Sequence, residues 1–176
     1  MSTLYPKDYT QYLFYFHCLR DYFECHEVLE EFWKEQPNHS REDHWVGLIQ
    51  IAVALYHHRR GNFNGAKKMM NNAISNLSKK TKEIEKLGLD SMQLIGILQK
   101  HSQKIENKLQ YESINLPIKD DHLMQICYDM AEKQNLNWGS ASDLSNVYLV
   151  NKHTLRDRSD VIETRKEELN KRKNNL

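Results

Sequence analysis

The residues best placed to do chemistry lie in the run His26-Glu-Val-Leu-Glu30-Glu-Phe-Trp33. On a helix, His26 and Glu30 are one turn apart and point the same way. An imidazole and a carboxylate so arranged can pair with each other, orient one another for proton transfer, or hold a divalent ion. Further along, Gln50 and His57 are seven residues apart and share one line of a helix, and His17 stands beside Leu13. Burying such groups unpaired costs several kcal/mol, so they are expected to meet in or beside the core. His17, His26, Glu30, Gln50 and His57 are therefore the candidate polar pocket. Two readings follow. Imidazole, carboxylate and amide carry complementary donors and acceptors, so the set can satisfy itself as a structural network. Alternatively, His26, Glu30 and His57 form a metal or acid/base site with an open position for water.

The motif limits the second reading. His-Glu-x-x-Glu is not the His-Glu-x-x-His of zinc proteases, and no His follows Glu24 or Glu27 at the Glu-x-x-His spacing of helical iron and manganese sites. No nucleophile or oxyanion donor is recognisable. The expectation is no cofactor, with a divalent metal ion as the alternative.

The elements that must position these groups are helical. The chain has 176 residues, 39% hydrophobic and 28% charged, with only 6 Gly and 3 Pro, a composition that excludes a turn-rich β fold or disorder. Pro6 opens a helix to about Leu19, with Tyr9, Tyr12, Leu13, Phe16 and Leu19 on one side. Asp21 and Glu24 have capping-box spacing and start a second helix ending near Gln36. Ser40 and Asp43 give the next capping signal, for a helix from about Arg41 to Arg60 that stops at Gly61. Its stretch Leu48-Ile-Gln-Ile-Ala-Val-Ala-Leu-Tyr56 is apolar nearly all round, which marks it as central. A fourth helix begins near Asn64, striped by Ala66, Met69, Met70, Ala73 and Leu77. After a polar Lys/Glu stretch, Asp90 and Gln93 cap a fifth helix to about Leu109. Residues 112–121 read as an extended linker, followed by a helix from Asp121 to Gln134, a polar loop through Gly139, and a charged helix from about Lys152 to Lys173.

The fold expected is thus an all-α compact helical bundle over residues 1–111, with residues 112–176 as linker and C-terminal helical extension. Trp45–Leu77 resembles a tetratricopeptide hairpin, with small residues at Ala54, Gly61, Ala66 and Ala73, but no second copy makes a repeat array. In the last helix Leu155, Ile162 and Leu169 recur every seven residues. That strip is a candidate docking surface for the chain's own bundle, a protein partner or a second copy of the chain.

Three separate motifs, His26-Glu27-x-x-Glu30-x-x-Trp33, Gly47-Leu-Ile-Gln50-x-Ala52 and Gly61-Asn62-x-x-Gly65-Ala66, occur in order. Together they resemble the domain-of-unknown-function family numbered 309, over roughly Tyr15 to Leu77. The resemblance implies a compact all-helical protein and no particular activity. It also marks Arg20 as a departure, since Gly is frequent at that turn.

Charge is uneven but nearly balanced, at +1 overall. The basic residues Arg59, Arg60, Lys67, Lys68, Lys79, Lys80 and Lys82 lack the aromatic interleaving of a nucleic-acid face, so nucleic acid is not favoured as a partner. No apolar run reaches the roughly 18 residues of a membrane span. Cys18, Cys25 and Cys127 are odd in number and lack CxxC spacing, and the N-terminus lacks signal-peptide character, so a cytoplasmic location is expected. The functional expectation is an adaptor or structural protein held by a His/Glu/Gln network, with a metal-dependent or acid/base enzyme at His26, Glu30 and His57 as the alternative.

Overall fold

A computed structural model describes residues 4–155, 166, 167 and 169–171. The described residues contain helices and no strand beyond an isolated bridge between Leu89 and Ile118. The helices are α1 Lys7–Phe14, α2 Tyr22–Glu35, α3 Asp43–Arg59, α4 Phe63–Ser78, α5 Thr81–Lys86, α6 Ser91–Glu106, α7 Asp121–Lys133, α8 Val147–Val150 and α9 Lys152–Leu155. None is long and apolar enough to cross a membrane.

The caps are largely where side-chain chemistry puts them. Asp21, Asn62, Asp90 and Asp120 each accept the backbone N–H three residues on, starting α2, α4, α6 and α7; each such cap contributes about 1 kcal/mol. The Ser40/Asp43 signal is not used. A short 3₁₀ turn occupies Asn38–Ser40, and α3 starts at Asp43 behind Glu42, which makes no side-chain cap bond. The polar stretch after Leu77 carries a short helix of its own, α5, which buries Ile84.

The first helix changes pitch. After Phe14 it continues as a π-helical turn, Tyr15–Leu19, closed by Asp21 N–H to Tyr15 O at 3.0 Å. Arg20 then takes φ 52°, the left-handed region in which a β-carbon is strained. The extra residue in the turn shifts the helix face, so Leu19 emerges 38% exposed instead of joining Tyr9, Tyr12, Leu13 and Phe16 in the core.

α3 is the centre, packed mainly against α4 and α2. It and α4 form an antiparallel hairpin around Gly61 (φ 82°), and Ala52, Ala54, Ala66 and Ala73 are buried. At Gly47 the approach is so close that a β-carbon would lie 2.6 Å from Leu77. α6 closes over α4, while α7 lies along α1. The segment beyond residue 112 shares this core: Leu116, Leu123 and Cys127 are buried in the same apolar cluster as α1 to α6. Of the strip read from sequence, Leu169 is 53% exposed; Ile162 and the side chain of Leu155 fall outside the described residues.

Candidate functional site

His26, His57 and an aromatic set border one cleft between α2 and α3. Tyr22, Phe23 and His26 come from α2, and Val53, Tyr56 and His57 from α3. His153 of the C-terminal segment completes the rim, and the enclosed space is about 180 Å³. His26 Nε2 lies 2.6 Å from Glu30 Oε2, and the other Glu30 oxygen lies 2.8 Å from Lys34 Nζ. The predicted one-turn pair therefore forms. It lies beside the core, with side chains 31% and 33% exposed. Glu30 points along α2 to His26 and Lys34 and does not line the cleft.

His57 Nδ1 accepts a hydrogen bond from Asn62 Nδ2 at 3.3 Å. Burial, with Arg60 and His153 nearby, lowers its pKa, which keeps the ring neutral. Gln50 turns away from the cleft and accepts from Asn76 of α4 at 2.8 Å. His17 is fully buried elsewhere. Its Nδ1 bonds Leu13 O at 2.8 Å, its Nε2 accepts from Leu116 N–H at 2.9 Å, and Trp138 stacks on its ring. Burial drives the His17 pKa down to about 3. The five polar groups thus divide three ways: His26, Glu30 and His57 stay by the cleft, Gln50 braces α3 against α4, and His17 fastens α1 to the linker. Among the described residues, no three His, Cys, Asp or Glu side chains are arranged to hold a metal ion.

Residues 147–155 lie across the cleft's edge as a strap. Lys152 Nζ is 2.8 Å from Asp21 and 3.0 Å from Glu24. Burial pulls the lysine pKa down, but these two carboxylates outweigh it and raise it. His153 hydrogen-bonds Tyr56 and receives Arg60 Nη1 at 3.1 Å. Leu149 O accepts from Arg59 Nη2 at 3.3 Å.

Beside the cleft is a group that composition and motif do not reveal: two buried guanidiniums. Arg20, 2% exposed, donates from Nε to Ser140 O (2.7 Å), from Nη1 to Ile114 O (2.5 Å) and from Nη2 to Asn115 Oδ1 (2.7 Å). Arg59, 8% exposed, donates from Nη1 to Arg20 O at 2.6 Å and Ser142 Oγ at 3.3 Å, and lies 4.6 Å over the Tyr22 ring. A second missed pair is His58 with His101, both 2% exposed, with Nδ1 and Nε2 at 2.9 Å. Because His58 Nε2 must donate to Leu109 O at 2.8 Å, its Nδ1 accepts from His101. Burial holds His101 at about 4. For Arg20, His58 and Arg59 the available signal was weak: a basic residue near a helix end reads as solvated.

The geometry explains the three sequence motifs. Trp33 receives Arg41 over its ring at 5.0 Å. Gly47 admits Leu77, Gln50 holds Asn76 and Ala52 is buried. Gly61 supplies the left-handed turn, Asn62 caps α4, and a β-carbon at Gly65 would press on Asn62 (2.7 Å) and His57 (3.2 Å). These motif positions fix how α2, α3 and α4 pack.

A family model described as Domain of unknown function (DUF309) matches residues 9–69, from within α1 to within α4. The protein called Uncharacterized protein YpuF, from Bacillus subtilis (strain 168), is 51% identical over 170 residues, covering 97% of this chain and 98% of that protein. No solved structure matches. With its three motifs placed at the packing surfaces of α2 to α4, and a relative matching nearly end to end, the chain belongs to the DUF309 family.

Proposed function

We propose that this protein is a cytoplasmic adaptor, and that the α2–α3 cleft is where a protein partner docks. The observation that carries the reading is the chemistry of the cleft: a mostly apolar floor of Phe23, Val53 and Tyr56, flanked by histidines, beside the carboxylates Asp21 and Glu24. Such a surface takes an aromatic or aliphatic anchor next to a cation. The chain's own strap illustrates the mode, with Lys152 between the two carboxylates and the His153 ring against Tyr56 at 5.1 Å between centroids. Three unpaired, buried cysteines suit a reducing compartment.

The test compares the full chain with Val53→Asp, which places a charge in the cleft floor, in cross-linked affinity capture from the host. The expected result is a stoichiometric protein retained by the unaltered chain and lost with Val53→Asp at unchanged helicity. Equal retention by both forms, or no stoichiometric partner, would overturn the adaptor reading. A second copy of this chain as partner would appear as a concentration-dependent mass in sedimentation.

A further inference from the structure

The two buried guanidiniums lack something. A charge taken out of water is costly unless an opposite charge meets it, and among the described residues neither Arg20 nor Arg59 has a carboxylate within ion-pair distance. The acids closest in sequence to Arg20 are committed elsewhere. Asp21 caps α2 and binds Lys152, and Glu24 binds the same lysine. Arg20 uses three of its five N–H donors on protein oxygens. The Arg59 Nε is buried with no acceptor.

Against Arg20 lies a cavity of about 370 Å³, lined by Tyr111, Ser113, Asn115 and Ser142, with Glu112 at its edge. Three hydroxyls stand on its wall. Tyr111 OH stands 3.0 Å from Ser113 Oγ and 2.8 Å from Ser142 Oγ. Arg59 Nη1 donates to the same Ser142 oxygen, so its charge reaches the wall through that hydroxyl. The carboxylate of Glu112 is drawn outward to Lys104 at 3.1 Å.

We propose that this cavity binds a phosphate dianion, free or as the monoester of a small molecule, held by Arg20 directly and by Arg59 through Ser142. Charge selects the ligand. Two cations with no carboxylate partner among the described residues call for about two negative charges, which a phosphate group carries near neutral pH and a single carboxylate does not. Geometry agrees: a guanidinium and hydroxyls around one space suit a tetrahedral oxyanion. The volume leaves room for a small ester body beyond the phosphate. This site is independent of the adaptor reading and adjoins a different face of α3.

The test is calorimetric titration of the full chain at constant ionic strength with inorganic phosphate, glycerol 3-phosphate and acetate. Saturable 1:1 binding of either phosphate probe, with acetate at least tenfold weaker, is expected; which phosphate binds tighter separates free anion from ester. Arg20→Lys keeps the charge and loses the fork, and should weaken binding about tenfold. Glu112→Gln removes the exposed like charge at the rim and should tighten it about two- to threefold. Should Arg20→Lys lose helicity, Glu112→Gln and Ser113→Ala, expected tighter and weaker respectively, decide the matter. Absence of saturable heat with both phosphate probes, acetate binding as tightly as phosphate, or indifference to Glu112→Gln and Ser113→Ala would overturn the site.

Discussion

Replacing Arg20 by Gly and by Ala separates two opposing contributions at one position. The guanidinium braces three oxygens, of Ile114, Asn115 and Ser140, that belong to the segment folded back over α1. A hydrogen bond to a charged donor contributes about 1.5–3 kcal/mol. Asn115 is exposed and can turn to water, so two half-buried carbonyls carry the loss. Removing a buried charge that has no carboxylate partner among the described residues gives part of this back. Arg20→Gly should therefore cost roughly 2–3 kcal/mol. Arg20→Ala loses the same contacts and keeps the left-handed strain of φ 52°, worth about 1 kcal/mol more. Urea unfolding followed by far-ultraviolet circular dichroism reads both, provided the m-value is constant. The ordering matters more than the sums: Gly must be the more stable variant. If Arg20→Ala equals or exceeds Arg20→Gly, the left-handed turn is not present in solution. If both cost under about 1 kcal/mol, the bracing argument is wrong.

Gly47→Ala should destabilise by about 1–3 kcal/mol, since its β-carbon would meet Leu77 at 2.6 Å; Leu77→Ala in the same chain should recover part of the loss, as double-mutant unfolding would show. Acid should unfold the protein through His17 and His101. Their folded pKa values, about 3 and about 4, lie below the ordinary 6.5, so the stability they contribute is complete above pH 6.5 and drains away as pH falls toward 3. The urea midpoint should track that window, and His17→Gln should flatten its lower end. Lys152→Met should release the strap from Asp21 and Glu24. Chymotrypsin should then cleave after Tyr148 or Leu149 several times faster, while the bundle's thermal midpoint moves by only a few degrees; unchanged cleavage would mean that the ion pairs do not hold the strap.

What could be seen in the sequence is what depends on near neighbours. The caps at Asp21 and Asp90, the left-handed Gly61 and the all-round apolar face of α3 are set within a few residues, and each stands where the spacing put it. The His26–Glu30 pair likewise spans one helical turn and forms as expected. Whether it lies in the core or beside it did not follow from the wheel, because exposure depends on what the rest of the chain leaves uncovered. His17 shows the limit from the other side. Its Nε2 partner is 99 residues away, in a linker whose path no local pattern sets. Arg20 and Arg59 were hidden for a related reason. A guanidinium buries only when several distant carbonyls converge on it, and that convergence is a property of the assembled fold.

The last turns of α3 explain why one central helix serves two unlike surfaces. Val53, Tyr56 and His57 face the aromatic cleft, whereas His58 and Arg59, one residue further round, are buried toward Tyr111 and Ser142. A rotation of about 100° per residue makes this possible without any break in the helix. The strap joins the two faces: His153 meets Tyr56, and four residues earlier Leu149 O meets Arg59. Anything that lifts the strap from the cleft also removes an acceptor from a guanidinium that has no carboxylate partner among the described residues, so the two surfaces share one free-energy balance. By thermodynamic reciprocity, whatever neutralises Arg59 and Arg20 alters the stability of the strap by the same amount that the strap alters its binding.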